Sequence, residues 1–401
     1  MIHSSYYKPH VFPVYGDVGD AEIDRLQELR ATNTLNRTKI EEIGRVGNVD
    51  WRKSTPTVSV TLRQLEYGSM ELFRKLANKG NTVSQINLTD FATSSVDIAG
   101  YKTDDNGTFL GTIYYPDLRV AGFGLNIGDP GALVERNFSL IGEDETILQN
   151  NNKYLIFKRS VVASGGSNVT VTLSDPTPVY DQDNSGRFLF KVVKVSAGVA
   201  TLLEPGTGWS YNGAGALTIN GVSATGDVIL SWYSGSAYIG GSTPFVQNDT
   251  DLSSVNAEQC SIFLQSSTYV YRLQSVAVDV TFDRTDIKEI GNTKVVARGV
   301  KDTSVKVTLG RILEAWTIEE ILRGKAGVSY GKIDPRNFLS NLNLVIKIYS
   351  DSTKSTFKMG YKFLNLSPTS LEGGTPINDY VTRGATLETD TGFITTVNAV
   401  L

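Results

Sequence analysis

Cysteine and histidine are nearly absent from this chain of 401 residues. Cys260 is the only cysteine, so no disulfide bond can form within the chain, and we expect a buried or half-buried thiol there. The two histidines, His3 and His10, both stand near the N-terminus, where a flexible segment is a poor platform for catalysis. A Ser-His-Asp or Cys-His active site is therefore not expected.

Long apolar runs and an excess of positive charge are lacking as well. No stretch of about 18 apolar residues occurs, which predicts a chain without a membrane-spanning helix. The first residues have neither the basic start nor the apolar core of a signal peptide, so we expect a soluble protein made in a reducing cytoplasm. The formal net charge of −4 argues against tight binding to nucleic acid phosphates.

Motifs for cofactors and metals are missing or incomplete. The glycines between Gly122 and Gly128 have the wrong spacing for a dinucleotide-binding loop. Residues 181–186 begin like a calcium-binding loop, but Val192 stands where that loop needs a glutamate. We therefore predict no catalytic, cofactor-binding or metal-binding residue, and a protein that is not an enzyme.

What the sequence does contain is a long internal repeat. Residues 25–62 recur at 272–309 without a gap, at a constant offset of 247, and 15 of the 38 aligned positions are identical. Three later residues match at the same offset: Val134, Arg136 and Leu140 return as Val381, Arg383 and Leu387. Two folded units of one kind are therefore predicted in one chain.

The offset also predicts the domain boundaries. Because residue 1 projects onto residue 248, we expect one unit at 1–149, its sister at 248–401 and an inserted domain at 150–247. Each unit is expected to be a β-sheet domain with one short amphipathic helix. The insert has short strands between clusters of Gly, Asn, Asp and Ser, as in an all-β sandwich. The predicted fold class is mainly β.

The order of these elements resembles the tail tube proteins (major tail proteins) of tailed bacteriophages. The likeness rests on a strand, the Arg-Thr-x-Ile-x-Glu-Ile-Gly segment at 284–291, a Val-x-Val-x-Leu strand, a short helix, and strands that end in Val-x-Arg-x-x-x-Leu. The chain is similar in particular to the duplicated form, in which two tube domains share one polypeptide. An immunoglobulin-like decoration domain can be attached in that form, which is the role the resemblance implies for the insert.

The resemblance implies a structural subunit of a virion, made in the bacterial cytoplasm. Three chains would form a pseudo-hexameric ring, and stacked rings would form a tube through which genomic DNA passes during ejection without sequence-specific binding. Implied partners are other copies of the chain and other tail proteins, with no membrane and no cofactor. Edge strands would pair between subunits, and long loops at about 101–120 and 366–380 would reach the adjacent ring.

Charged residues that match between the repeats are the candidates for contacts between subunits. This set is Arg37, Glu42, Arg136, Arg284, Glu289 and Arg383. The same residues could instead form salt bridges inside one domain, for instance from each arginine to Glu42 or Glu289. The sequence leaves both possibilities open.

A second functional class also stays open. The alternative is a tail-tip, baseplate or adhesin-like protein that recognises carbohydrate through the insert. That segment carries Trp209, Tyr211, Trp232 and Tyr233, whose rings could stack on sugars if they were exposed. At least half of them are expected to fill the core of the insert instead.

Overall fold

The structure is a computed structural model, and it describes most of the chain with gaps. The described residues are 7–13, 21–35, 37–40, 50–53, 56–104, 106, 108–129, 131–149, 154–166, 168–173, 179–180, 186–187, 189–197, 199–212, 215–221, 224–235, 253–265, 268–270, 273–288, 295–312, 317–324, 334–374 and 382–401. Strand accounts for 63% and helix for 9%, which confirms the mainly β class.

We call residues 1–149, 150–247 and 248–401 the N-terminal repeat, the middle segment and the C-terminal repeat. The N-terminal repeat contains β1 (Tyr7–Pro13), β2 (Ala21–Glu22), β3 (Leu26–Thr34), β4 (Arg37–Ile40), β5 (Asp50–Lys53), β6 (Thr57–Leu65), α1 (Glu71–Leu76), β7 (Gln85–Asn87), α2 (Asp90–Thr93), β8 (Val96–Thr103), β9 (Phe109–Ile127), β10 (Glu135–Gly142) and β11 (Thr146–Gln149).

The middle segment contains β12 (Tyr154–Val161), β13 (Val169–Thr172), β14 (Val179–Tyr180), β15 (Gly186–Arg187), β16 (Leu189–Ser196), β17 (Val199–Leu202), β18 (Trp209–Tyr211), β19 (Ala216–Ile219) and β20 (Val228–Gly235). The C-terminal repeat contains β21 (Cys260–Leu264), β22 (Thr268–Tyr269), β23 (Leu273–Lys288), β24 (Val295–Ile312), α3 (Thr317–Leu322), β25 (Leu342–Tyr349), β26 (Phe357–Gly374), β27 (Thr382–Thr389) and β28 (Thr391–Thr395). Short 3₁₀ turns lie at Ala257–Gln259, Pro335–Asn337 and Asn398–Val400.

The two repeats share one pattern of antiparallel strand pairing. Seven pairings of the N-terminal repeat recur: β1–β2, β1–β8, β8–β9, β9–β10, β10–β6, β6–β3 and β9–β11 return as β21–β22, β21–β25, β25–β26, β26–β27, β27–β24, β24–β23 and β26–β28. Local irregularities recur as well. The register of β10 on β9 shifts after Ser139, and that of β27 on β26 shifts at the matching place.

One antiparallel sheet runs through both repeats. Its strand order is β3-β6-β10-β9-β23-β24-β27-β26, so four strands of each repeat lie side by side. Apolar residues alternate along these strands and face the core, as expected for a sheet with one buried face. Val58, Val60 and Leu62 on β6 are fully buried, while Ser59 and Thr61 are exposed. We call this the eight-stranded sheet.

Strands β9 and β26 each belong to two sheets. The first part of β9 pairs with β8 and β11, whereas its last part pairs with β10 and β23. Where the strand passes from one sheet to the other, Asp117 has a φ of 51°, and Asn365 at the equivalent place in β26 has a φ of 55°. Asp and Asn tolerate this left-handed conformation better than other residues with a side chain.

The middle segment forms two small sheets that pack face to face. One has the strand order β12-β20-β16-β17 and the other β13-β19-β18. The apolar core between them includes Ile156, Val192 and Tyr233. The sequence predicts six strands here, at 154–162, 168–173, 188–195, 199–203, 216–219 and 228–233, and β12, β13, β16, β17, β19 and β20 match them with ends within two residues. The structure adds the short strands β14, β15 and β18. Tyr154 and Gly235, at the two ends of the segment's described part, pair with each other.

The middle segment is fastened to the N-terminal repeat by a mixed contact. The outer face of its four-stranded sheet, including Trp232, packs on Tyr114 and Leu148. Lys191 forms a buried ion pair with Asp97, 3.2 Å between Nζ and Oδ1. Burial raises the pKa of the Asp97 carboxyl, and the ammonium of Lys191 opposes that rise. This ion pair joins the middle segment to the N-terminal repeat.

Three expectations from the sequence need correction. The long loop at about 101–120 is wrong, because β8 ends at Thr103 and β9 begins at Phe109. The loop at about 366–380 is wrong in its first part, because β26 continues through Gly374. The N-terminal repeat has a second short helix, α2, in addition to the one predicted. Alternating Gly, Pro and polar residues concealed these strand segments.

Candidate assembly interface

The two repeats meet edge to edge at β9 and β23. Six consecutive residues of β23, from Val276 to Thr281, pair with Ile127 to Gly122 in antiparallel register. A Cβ atom on Gly122 would lie 2.5 Å from the carbonyl oxygen of Val280. Glycine at this position therefore lets the two backbones approach closely.

Arg284 reaches across this junction from β23 to the N-terminal repeat. Its Nε donates to the carbonyl of Val120 at 2.7 Å, Nη1 to that of Ala92 at 3.0 Å and Nη2 to that of Phe91 at 2.8 Å. Two of these carbonyls belong to the short helix α2. Burial lowers the pKa of Arg284 to about 10, with a smaller contribution from nearby arginines. The guanidinium stays charged at neutral pH and fastens one repeat to the other.

Aromatic rings and a buried carboxylate complete the junction. The rings of Phe91 and Phe282 lie 5.9 Å apart, and those of Phe73 and Tyr361 lie 6.0 Å apart. The Tyr361 hydroxyl donates to Glu66 Oε2 at 3.0 Å. Each of these pairs joins one residue of each repeat, so the two repeats share one core.

Arg136, a predicted candidate, lies in the interior of the N-terminal repeat. Its side chain is fully buried. Nε donates to Gln64 Oε1 at 2.8 Å, and Nη1 donates to Glu66 Oε2 at 3.2 Å and to the Ser69 carbonyl at 2.9 Å. The guanidinium also lies over the Phe73 ring at 5.2 Å. These contacts are those of a structural residue.

The remaining candidates occupy different places. Arg37 is exposed on β4. Arg383 lies on β27, where its backbone pairs with Arg311 of β24. Glu42 and Glu289 lie outside the described residues, and so does any salt bridge that either of them forms.

The two outer edges of the eight-stranded sheet are open. In the described part of the chain, β3 pairs only with β6, and residues 367–374 of β26 pair only with β27. By the shared pattern of pairing, β3 is the counterpart of β23, and the end of β26 is the counterpart of the end of β9. The open edges are therefore the equivalents of the two edges that are joined inside the chain.

Exposure differs sharply between equivalent residues of the two repeats, next to β3 and β23 and also at β11 and β28, of which β28 pairs with β7 of the other repeat. Leu35 is 61% exposed, whereas its counterpart Phe282 is 2% exposed. Ile147 is 63% exposed, whereas its counterpart Ile394 is fully buried. Exposed apolar residues of this size mark a contact surface when they occur together with an unpaired strand edge.

Sequence reasoning missed Leu35 and Ile147 because it looked for charge. A comparison of apolar positions between the repeats could have found Ile147, which aligns with a second isoleucine. Leu35 aligns with Phe282, another large apolar residue. Neither residue shows its exposure in the sequence, because Ile147 stands in a strand that looks half-buried and Leu35 directly follows one.

The aromatic residues of the middle segment are largely in its core. Trp232 and Tyr233 are fully buried. Trp209 and Tyr211 are half-buried and pack against the apolar core between the two small sheets. The indole Nε1 of Trp209 donates to the carbonyl of Leu203 at 3.1 Å.

Cys260 is buried at the start of β21, as expected. Burial raises the pKa of its thiol to about 12. The segment that begins like a calcium-binding loop lies mostly outside the described residues. Within the part that the structure describes, no group of three or more His, Cys, Asp or Glu side chains is placed to hold a metal ion.

No protein-family model matches the chain, and no curated protein sequence is similar to it. Among the described helices, none has the length and apolar character needed to cross a membrane.

Proposed function

We propose that this chain is a structural subunit of a bacteriophage tail tube. Three copies would form a pseudo-hexameric ring around a channel for DNA, and rings would stack into a tube. In this proposal residues 1–149 and 248–401 are two tandem tube domains, and 150–247 is an inserted β-sandwich domain. The carrying observation is that two repeats with one strand pairing are joined edge to edge, while the equivalent outer edges are open.

The open edges support a closed assembly. A contact between two different surface patches repeats from copy to copy, and it gives a ring when the rotation closes. Each chain would contribute its eight-stranded sheet, and pairing β3 of one copy with β26 of the next would make a continuous barrel. A closed barrel leaves no edge strand exposed to unwanted partners. The resemblance to tail tube proteins, which build six-membered rings, sets the number of chains at three.

The layers of the fold give the proposed ring an inside and an outside. One face of β8 and β9 packs on the shared core under the eight-stranded sheet, through residues such as Ile98 and Tyr115. The opposite face, with Ala99 and Tyr114, carries the middle segment. If the eight-stranded sheet lines the channel, the middle segment projects outward.

The charge of the chain fits a channel that DNA must pass. A tube that gripped phosphates would hold the genome, because each phosphate contact from Lys or Arg adds affinity. The net charge of −4 makes such a grip weak on average. Other tail proteins would contact the two ends of the tube.

Electron microscopy of the purified chain, or of particles that contain it, tests the proposal. We expect rings with threefold symmetry and a central channel, stacked into tubes. A monodisperse monomer under all conditions, with no tubular form in any particle, contradicts the proposal.

A further inference from the structure

We propose that the contact between chains repeats the contact between the two repeats, residue for residue. In this arrangement β3 of one copy pairs with β26 of the next in a single register, and Arg37 takes the role of Arg284. The partner of both open edges is thus a second copy of this chain. The inference rests on the proposed ring and specifies its interface.

The alignment of β3 with β23 comes from their shared neighbour strand. Leu29 faces Leu62 of β6 as Val276 faces Leu309 of β24. Both pairs of strands also have a register shift at the same point near their start. The two strands therefore correspond at an offset of 247 without ambiguity.

The alignment of β9 with β26 comes from β10 and β27. Phe138 faces Phe123 as Ala385 faces Leu371. The register shift that follows is shared by both pairs of strands. The ends of β9 and β26 therefore correspond at an offset of 248.

These two offsets define the register between chains. Inside the chain, Asp279 faces Gly124, so Thr32 would face Glu372 of the next copy. The same rule, applied to Thr281 and Gly122, places Thr34 opposite Ser370. Both pairs lie on the open edges, where the described part of the chain provides no second strand to pair with β3 or with the end of β26. Unpaired N–H and C=O groups along a strand edge pair readily with the edge strand of another chain.

The side chains that hold the inner junction have counterparts at the open edges. Phe338 and Leu339 lie four and three residues before β25, whereas Phe91 and Ala92 lie five and four residues before β8. The segment before β25 is thus one residue shorter, and we match Phe338 to Phe91 as the aromatic residue that both segments carry. Pro368 stands in β26 where Val120 stands in β9. Arg37 of one copy would donate to the carbonyls of these three residues in the next copy. An arginine that is exposed in the single chain would then have the bonds that Arg284 already has.

The apolar part of the inner junction is reproduced with a smaller residue. Phe282 packs on Phe91 inside the chain. At the open edges the equivalent residues are Leu35 and Phe338 of the next copy. Phe338 is half-buried in the single chain, whereas Phe91 is fully buried, so part of the Phe338 ring is left for Leu35 to cover.

Disulfide cross-linking measures the register directly. Directly opposite Cβ atoms lie about 4.5–5.5 Å apart and diagonal neighbours about 7–8 Å, while a disulfide needs roughly 3.5–4.5 Å. We would make two in-register pairs, Thr32→Cys with Glu372→Cys and Thr34→Cys with Ser370→Cys. The matched control is the diagonal pair, Thr32→Cys with Ser370→Cys. Cys260 is buried and remains in every variant.

Each double variant is assembled under reducing conditions, imaged, oxidised and run on a denaturing gel without reductant. We expect closed covalent trimers from either in-register pair and at least tenfold less cross-linking from the diagonal pair. Suppose that the variants form rings but the diagonal pair cross-links best, or that no pair cross-links. The proposed register is then wrong, and the proposed function still stands. If the unmodified chain forms no rings, the proposed function fails and this inference fails with it.

Discussion

At the scale of single residues, identical residues at matching positions of the two repeats have different roles. Arg284 bonds three carbonyls across the junction, and its counterpart Arg37 is exposed. Arg136 is buried with Glu66, a residue that has Leu313 at its position in the second repeat. The repeat could be found from the sequence because identity survives duplication. The role of each arginine could not be predicted from the sequence, because it depends on which residues the fold places next to it.

The thiol of Cys260 gives a prediction about pH. Because burial raises its pKa from 9.0 to about 12, the thiolate fraction at pH 8 is about 1000-fold below that of a free thiol. Because a thiolate of higher pKa is also intrinsically more nucleophilic, we expect the native chain to react with a disulfide reagent at least about 30-fold more slowly than the urea-unfolded chain at pH 8. The native rate should rise about tenfold per pH unit up to about pH 11, while the chain stays folded. A native rate within tenfold of the unfolded rate at pH 8 contradicts the prediction.

At the scale of elements, the strands with regular alternation were predictable, and the paired edges were not. Val276, Val278 and Val280 alternate with small or polar residues and are buried, as the pattern indicates. The pairing of β9 with β23 joins residues more than 145 positions apart, and no local pattern encodes such a contact. The sequence predicts a loop at the end of β26 because this segment contains Pro368 and two terminal glycines. Proline is compatible with an edge strand, which is where this segment lies.

The open edge of the sheet can be tested with two leucines. Leu35, next to β3, and Leu110, in β9, are exposed to 61% and 46%. Replacing either with Asp should leave the single chain folded, because neither is in its core. We expect Leu35→Asp to raise the concentration needed for ring assembly by at least about 100-fold, since burial of a leucine contributes about 1.5–3 kcal/mol and a buried charge costs more. Leu110→Asp should change it less than threefold.

Light scattering across a dilution series measures that concentration, and circular dichroism checks the fold of both variants. Equal assembly by Leu35→Asp and the unmodified chain would exclude Leu35 from the interface. Loss of assembly by Leu110→Asp, with the fold intact, would place an interface outside the open edges.

At the scale of the whole molecule, the middle segment is attached so that the chain enters and leaves it at neighbouring points. Tyr154 and Gly235 pair across β12 and β20, and opposite residues in an antiparallel pair lie about 4.5–5.5 Å apart. Because the chain enters and leaves the middle segment at neighbouring points, this segment can be removed without moving the rest of the structure. The offset of the repeats predicts the boundary of 150–247, and the structure shows that the chain enters and leaves the described part of this segment at neighbouring points.

Excision of residues 154–235 is therefore expected to preserve assembly. The shortened chain keeps both open edges and all residues of the inner junction, so threefold rings should form with a smaller outer diameter. Exposure of Tyr114 and Leu148 should lower solubility, because Trp232 no longer covers them. Electron microscopy at matched concentration gives symmetry and diameter. A folded but permanently monomeric product would show that the middle segment takes part in assembly.

The two strands that serve both sheets, β9 and β26, have a mechanical consequence. A load applied to the eight-stranded sheet passes along the covalent backbone of β9, through Asp117, into the sheet on which the middle segment rests. Along β26 it passes through Asn365 into the sheet of β25 and β28. Under the same load, a covalent backbone lengthens far less than two packed side chains move past each other. The two sheets of each repeat must therefore shift together, and deformation is left to the contacts between the repeats.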